Sequence, residues 1–321
     1  MTATAAAGPL DQPVPARGQS QGALLWSRLR RKRAAMASLV VIAAIYMMGI
    51  FAPVLAPYSY SQQDLDRQWE GPTADHWLGT DTLGRDMLSR AMYSARTTVI
   101  VTLAVVLSGS LILGNALGLL AGYRGGRIDS VVMRAGDVFA GLPDIMLLIL
   151  INAAFGERVS SLTRWVDTHT FVSGLTATGA ASYITVFGAL TLFSWVGTAR
   201  LIRSQVLQLR ERDFVLAARA IGATPRRVIS RHLLPNVSNL IILSVSGGLG
   251  AIAGSEIVLT WFGVGVQPPA ASFGAMIFEA GSVRMFQTHP HLLMVPAAFV
   301  TALLFSFALL GDGLNDAVRG R

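Results

Sequence analysis

The chain contains no cysteine, a single lysine and little charge of either sign. Without cysteine, disulfides and thiolate metal sites are excluded. The lone lysine, Lys32, stands in RRKRAA with no glycine before it. A phosphate-cradling loop needs G-x-x-x-x-G-K-[ST], so ATP hydrolysis by that chemistry is excluded. Charged residues make up only 14% of the 321 positions and hydrophobic ones 52%. Soluble domains carry about 25% charge; with a mean hydropathy of +0.52 the chain reads as a membrane protein. The formal net charge is +8. In a multi-span protein such an excess marks cytoplasmic loops rather than nucleic-acid binding. No Ser/His/Asp set, carboxylate pair or metal cluster emerges from the spacing. No catalytic residue, metal ligand or cofactor is therefore expected in this chain.

What is present is a series of apolar runs. Residues 1–24, rich in Ala, Gly, Pro and Gln, are expected to be a disordered tail. WSRLRRKRAAM, 26–36, then abuts ASLVVIAAIYMMGIFAPVLA, 37–56, about one hydrocarbon crossing long. Val54-Leu55-Ala56 mimics a signal-peptide cleavage site, but Pro57 opposes cleavage and the run is long, so a retained first span is favoured. Five more spans follow at 99–122, 131–155, 183–199, 239–264 and 291–314. The first third of the 131–155 run is too polar to lie wholly in lipid. Residues 25–95 thus form a first span plus loop, and 96–321 a five-helix core.

Loop charge assigns the sides. Arg28, Arg30, Arg31, Lys32 and Arg33 place the N-terminus in the cytoplasm. Asp64, Asp66, Glu70, Asp75, Asp81 and Asp86 place the 57–95 loop outside. Arg124, Arg127 and Arg134 are inside, 156–182 outside, the arginine-rich 200–236 inside, 265–289 outside, and the C-terminus inside. Six spans alternate without conflict. The expected fold is an all-α membrane protein of six transmembrane helices with both termini cytoplasmic. The glycines of SGSLILGNALG and SGGLGAIAGS allow close helix packing.

Between spans four and five lies DFVLAARAIGATPRRVISRHLLPN, 213–236, with Arg219, Arg226, Arg227, Arg231 and His232. Asp213 suits an N-cap for a helix over 214–221. Gly222 suits the left-handed position that closes it. Thr224-Pro225 opens a second helix, which Pro235 is expected to stop. The pattern predicts a helical hairpin on the cytoplasmic face. It serves either anionic headgroups or a soluble partner that moves the spans.

The hairpin resembles the EAA signature of bacterial ABC-importer permeases: Ala-Ala, three residues, Gly, nine residues, then x-x-Leu-Pro. Here these are Ala217, Ala218, Gly222, Leu234 and Pro235. Leu216 stands where the usual Glu contacts the ATPase, a departure from the pattern. HWLGTDTLGRDMLSR (76–90), GYRGGRIDSVVMRAGDVFAGLP (122–143), WFGVGVQPPAASFGAMI (261–277) and LLGDGLNDAVRGR (309–321) resemble segments of the C-type permeases for dipeptides and oligopeptides. The resemblance implies a non-catalytic, multi-pass subunit of the bacterial inner membrane. Its implied partners are a homologous second permease, two cytoplasmic ATPases that bind ATP and Mg, and an extracytoplasmic binding protein that delivers peptide. It further implies that Ala217, Ala218, Arg219, Gly222, Ala223, Leu234 and Pro235 couple to an ATPase. Gly79, Asp81, Gly84, Arg85, Asp86, Gln267 and Pro268 would then serve the outer gate or receptor docking.

Other residues are read singly. Glu256, an acid late in the fifth span, is a pathway candidate, or reaches the interface or pairs with Arg85 or Arg90. Asp137 and Asp144 are expected to cap helices or bridge to Arg134. His289 and His291 form an H-x-H without further ligands nearby. Gly79 to Asp86 reads as a tight turn capping a helix. Trp165 suggests a short surface helix within 156–182. The same complex type could import nickel chelates or glutathione. A self-contained secondary transporter would need ionisable residues at mid-span, and these are nearly absent. A scaffold or enzyme ranks lowest.

Overall fold

The computed structural model describes residues 21–141, 143–170, 174–176 and 178–319. The tail expected to be disordered falls largely on 1–20, outside the described residues. Among the described residues the secondary structure is helical, with one isolated bridge between Thr80 and Asp86. α1 (Gln21–Leu29) and α2 (Arg33–Ile50) precede a long loop. α3 (Met87–Arg124), α4 (Gly126–Ala140), α5 (Asp144–His169) and α6 (Ala180–Leu209) follow. Then come α7 (Asp213–Ala220), α8 (Pro225–Trp261), α9 (Phe273–Glu279), α10 (Val283–Thr288) and α11 (His291–Arg319). Among the described residues six helices are long and apolar enough to cross a membrane: α2, α3, α5, α6, α8 and α11. Helices alone can satisfy their backbone polar groups within lipid.

The first and last described helices, α1 and α11, meet at one end of the bundle, called here the terminus end. Lys32 Nζ lies 2.6 Å from Asp316 Oδ2, and Arg28 Nη1 donates to the Ala317 carbonyl. The opposite end, called here the loop end, gathers the 51–86 and 262–290 connections. α11 packs between α2 and α8, while α3 packs along α6 and crosses α2 and α8. One apolar core joins Ile42, Ile45, Ala91, Ala253, Phe273 and Leu303. A second, formed by Val101, Val105, Val186, Leu190 and Ile252, joins α3, α6 and α8.

The α3–α6 contact depends on glycine. A Cβ on Gly109 would meet Ser194 Oγ at 1.8 Å, on Gly114 the Thr198 Cβ at 2.8 Å, and on Gly122 the Val206 Cβ at 2.7 Å. On Gly118 it would meet the Ala199 carbonyl at 2.7 Å. The glycines of α8 differ. Gly250 abuts Phe307, but Gly247 and Gly248 face open space.

Several boundaries differ from the sequence-based expectations. The 131–155 run is not one span. α4 ends before Pro143, which disfavours helix in the residue before it, and a new helix starts at Asp144. The spanning segment is Ile145–His169, and it absorbs the expected surface helix around Trp165, which stacks on His169 at 5.1 Å. Asp137 pairs with Arg200 at 2.8 Å rather than with Arg134. Pro235 does not stop its helix. The chain passes through a π-helical segment, Ile229–Leu233, whose wider hydrogen bonding runs from the Leu234 N–H to the Ile229 carbonyl, and continues to Trp261. A wide turn just before proline relieves the contact that otherwise breaks a helix. Asp213 lies in the first turn of α7, and the cap position is Arg212.

Gly118→Val should overpack the α3–α6 seam and cost about 1–3 kcal/mol, read as a lower thermal unfolding temperature in detergent. Gly188→Ala, at a helical glycine with open space around it, should leave that temperature unchanged or slightly raised.

Candidate functional site

Two constellations stand at opposite ends of the bundle. At the loop end, the 76–90 segment folds as a tight turn leading into α3. Gly79 (φ 81°) and Gly84 (φ 69°) sit in the left-handed region. A Cβ on Gly84 would fall 1.7 Å from the Asp64 carbonyl, and one on Gly79 would meet Glu70 O at 2.6 Å. Only glycine fits either place. Asp86 caps α3, its Oδ2 accepting from the Ser89 N–H at 2.7 Å, while its Oδ1 lies 3.0 Å from His76 Nδ1. Asp81 Oδ1 accepts from the Leu83 and Arg85 amides at 2.8 and 2.9 Å.

The other Asp81 oxygen accepts from Arg85 Nε at 2.6 Å and from Arg90 Nη1. Arg90 Nη1 and Nη2 also donate to the two Glu279 oxygens, at 2.6 and 3.1 Å, and Arg85 Nη2 adds a bond at 2.9 Å. Two arginines and two carboxylates thus form one charge-balanced cluster. Arg90 and Asp81 are 4% and 3% exposed. Such forked contacts are among the strongest hydrogen bonds available. The cluster ties the loop before α3 to the end of α9. His291, at the start of α11, adds a 3.2 Å bond to the Thr80 carbonyl, and His289 stacks on Trp69.

Glu256 is fully buried and does not reach Arg85 or Arg90, because Glu279 and Asp81 hold both arginines. Three hydroxyls donate to it: Thr98 at 3.0 Å, Thr260 at 3.2 Å and Ser272 at 3.1 Å. Two of those hydroxyls accept in turn. Thr260 takes the Val266 N–H at 3.0 Å and Ser272, the cap of α9, takes the Gly274 N–H at 3.1 Å. Glu256 therefore fastens the 262–272 turn to α3 and α8. Pro268 lines a cavity of about 340 Å³ with Arg85, Arg90 and Glu279. Gln267 turns away, donating to the Gly263 carbonyl at 2.9 Å.

At the terminus end stands the 213–235 hairpin. Gly222 (φ 85°) closes α7: its N–H reaches the Arg219 carbonyl and the Ala223 N–H the Ala218 carbonyl, a Schellman pair. Thr224 caps the next helix through the Arg227 N–H. Val215, Ala218, Val228 and Leu233 are buried, and Val215, Val228 and Leu233 pack with Leu119, Ile202 and Val206 of α3 and α6. The Arg219 guanidinium lies 4.8 Å over the Tyr123 ring. The opposite face is open. Leu216, Ala217, Gly222, Leu234 and Pro235 are exposed, Ala223 is half-buried, and Ile221 is 86% exposed.

Sequence reasoning named Asp81 and Arg85 but missed Glu279 and the hydroxyl partners of Glu256. Glu279 lies nearly two hundred residues away from both arginines, beyond the reach of local spacing. A carboxylate beside a Ser-capped short helix was the one signal.

Arg90→Met should leave Asp81 and Glu279 sharing Arg85 alone, one negative charge in excess at a buried site, and destabilise the protein by about 3 kcal/mol; adding Glu279→Met restores the charge balance and should recover part of the loss, measured as a double-mutant cycle on unfolding temperature. Glu256→Gln, which keeps an acceptor for Thr260 and Ser272, should behave like the parent. Glu256→Leu orphans three hydroxyls, should cost about 3 kcal/mol or more, and should expose the 262–272 turn to limited proteolysis.

Known proteins share this chain over most of its length. The model for binding-protein-dependent transport system inner membrane components matches residues 114–321, and that for the N-terminal TM domain of oligopeptide transport permease C matches 20–72. The dipeptide transport system permease protein DppC of Bacillus subtilis is 36% identical over 293 residues, 91% of this chain and 83% of that protein. The oligopeptide permease OppC of the same organism is 32% identical over 291 residues, covering 91% and 87%. The glutathione transport system permease protein GsiD of Pectobacterium atrosepticum is 33% identical over 294 residues, covering 91% and 89%. The chain belongs to the family of binding-protein-dependent transport system inner membrane components, as a multi-pass inner-membrane protein with six apolar spans.

Proposed function

We propose that this chain is the C-type permease subunit of an ATP-driven importer of peptides, forming one half of the translocation pathway. Both termini and the 213–235 hairpin face the cytoplasm, and the ion cluster faces outward. The hairpin is the coupling element, received by one of two cytoplasmic ATPases that bind ATP and Mg. The carrying observation is the hairpin's two-sidedness. Its inner face is built into the bundle through Val215, Val228 and Leu233, while Leu216 and Ile221 present uncovered apolar surface beside the Gly222 turn. A push there moves α3, α6 and α8 together, as rocking between inward-open and outward-open states requires. Leu216 in place of the family's Glu makes this contact apolar rather than ionic.

A homologous second permease covers α5 and α8. Only 6% of the apolar window of α5, and 22% of that of α8, is buried within the chain. The loop end, with Arg85, Glu279 and Pro268 around one cavity, is where an extracytoplasmic binding protein delivers cargo. Relatives named for dipeptide, oligopeptide and glutathione transport point to short peptides as that cargo.

The chain is to be co-purified with its partner permease and ATPases and assayed for ATP hydrolysis in liposomes, with and without peptide-loaded binding protein. Peptide-stimulated hydrolysis is expected. Gly222→Trp, strained at φ 85° and bulky on the docking face, should abolish the stimulation while the subunit still inserts. Assembly without ATPases, with solute moving down an ion gradient, would overturn the reading.

A further inference from the structure

A second cavity, of about 320 Å³, opens beside the ion cluster at the loop end. Cavities of this size hold small ligands. Tyr60, Tyr93 and Tyr183 wall it, with Thr97, Ile100 and Arg96. Tyr93, Arg96, Thr97 and Ile100 stand at i, i+3, i+4 and i+7 on α3, one face of the helix. The backbone there is held from behind, since Gly49 of α2 approaches so closely that a Cβ on it would meet the Arg96 amide nitrogen at 2.6 Å.

The polar groups are arranged with a direction. Thr97 donates its hydroxyl proton to the Ala271 carbonyl at 2.6 Å. At its 2.7 Å contact with Tyr183, Thr97 must then accept, so the Tyr183 proton is spent inside the wall. Tyr60 and Tyr93 pack at 4.4 Å between ring centroids, and their hydroxyls make no hydrogen bond among the described residues. Arg85 and Arg90 are consumed by Asp81 and Glu279. Arg96 is exposed and makes no ion pair among the described residues. The cavity thus offers one uncommitted guanidinium, two available phenol donors and aromatic walls. It adjoins the 340 Å³ cavity of Glu279 and Pro268, sharing Tyr60, Ala270 and Ala271 with it.

A guanidinium among aromatic rings recognises a carboxylate attached to an apolar body. We propose that this cavity is a subsite for the C-terminal carboxylate of a peptide, bound by Arg96 with the tyrosines against the terminal side chain. The proposal rests on the peptide-importer reading for the identity of its ligand. Glutathione, dipeptides and longer peptides have a free carboxylate in common, so one subsite serves all of them. An anionic headgroup phosphate is the rival occupant of the arginine. The solute is preferred because the walls include the 270–271 turn as well as the spanning helices.

The test uses the full chain with its partner permease in bilayer discs, without binding protein or ATPases. Calorimetric titrations compare the dipeptide Ala-Phe with its C-terminal amide, in phosphatidylcholine discs and in discs that also contain phosphatidylglycerol. The acid should bind about tenfold tighter than the amide or better. Arg96→Gln should erase that preference, while Arg96→Lys should keep part of it and serve as the folded control. Equal binding of acid and amide, or a preference that survives Arg96→Gln, overturns the proposal. A preference that disappears in phosphatidylglycerol assigns Arg96 to headgroups and also overturns it. Uptake of the same two ligands by the complete importer separates the two readings. With no peptide uptake but an Arg96-dependent acid preference, the carboxylate subsite stands and the peptide-importer reading falls. With uptake but no acid preference in the discs, the subsite falls and the importer reading stands.

Discussion

Arg90 shares one guanidinium between two carboxylates, Asp81 nine residues before it and Glu279 far along the chain. Most of the loop end depends on that exchange. It fixes the entry to α3, sets α9 against it, and occupies charges that would be costly to bury alone. Glu256 repeats the logic without a cation. Three hydroxyls surround it, and two of them pass the order on to the backbone amides of Val266, in the 262–272 turn, and Gly274, at the start of α9. Charge and hydroxyl groups therefore do at this end what apolar packing does elsewhere in the bundle.

The two ends seat their connections differently. The loop-end connections are fastened by directional bonds, which keep one geometry until they break. The 213–235 hairpin is itself seated by Val215, Val228 and Leu233 in an apolar cluster, with one cation over an aromatic ring, while beside it the Arg203 guanidinium forks onto Asp129 and ties α6 to α4. Apolar contacts tolerate small slides between helices. The faces of α5 and α8 left uncovered lie between the two. A bonded loop end, an apolar seat for the hairpin and an open flank suit the moving subunit proposed above.

Spans and turns were legible where the signal was local. The six apolar runs, the left-handed Gly222, the Thr224 cap and the tight turn at Gly79 and Gly84 follow from composition and short-range chemistry. Errors arose where one local rule displaced another. Pro235 reads as a stop, yet a π-helical segment before it carries the helix onward. The 131–155 run reads as one span, yet Pro143 divides it and the second helix runs on to His169. Pairings were legible only when close in sequence. Glu279 with Arg85 and Arg90, Asp137 with Arg200, and Thr98 with Glu256 are tertiary facts without a local signature.

The π-helical segment of α3, Val106–Gly114, works as a phase shifter. Gly109 and Gly114 are five residues apart, whereas Gly114, Gly118 and Gly122 follow at four. An unbroken α-helix would turn roughly 500° over five residues and leave Gly114 about 140° away from the face of Gly109. The wider turn returns both glycines to α6. The same stretch thereby sets the rotational angle between the loop-end half of α3, with Arg90 and Arg96, and the half against the hairpin. Loss or gain of a single residue there would leave the side chains on either side and both ends intact, yet turn one half of the helix against the other by about 100°. Length in this stretch is therefore held more tightly than composition.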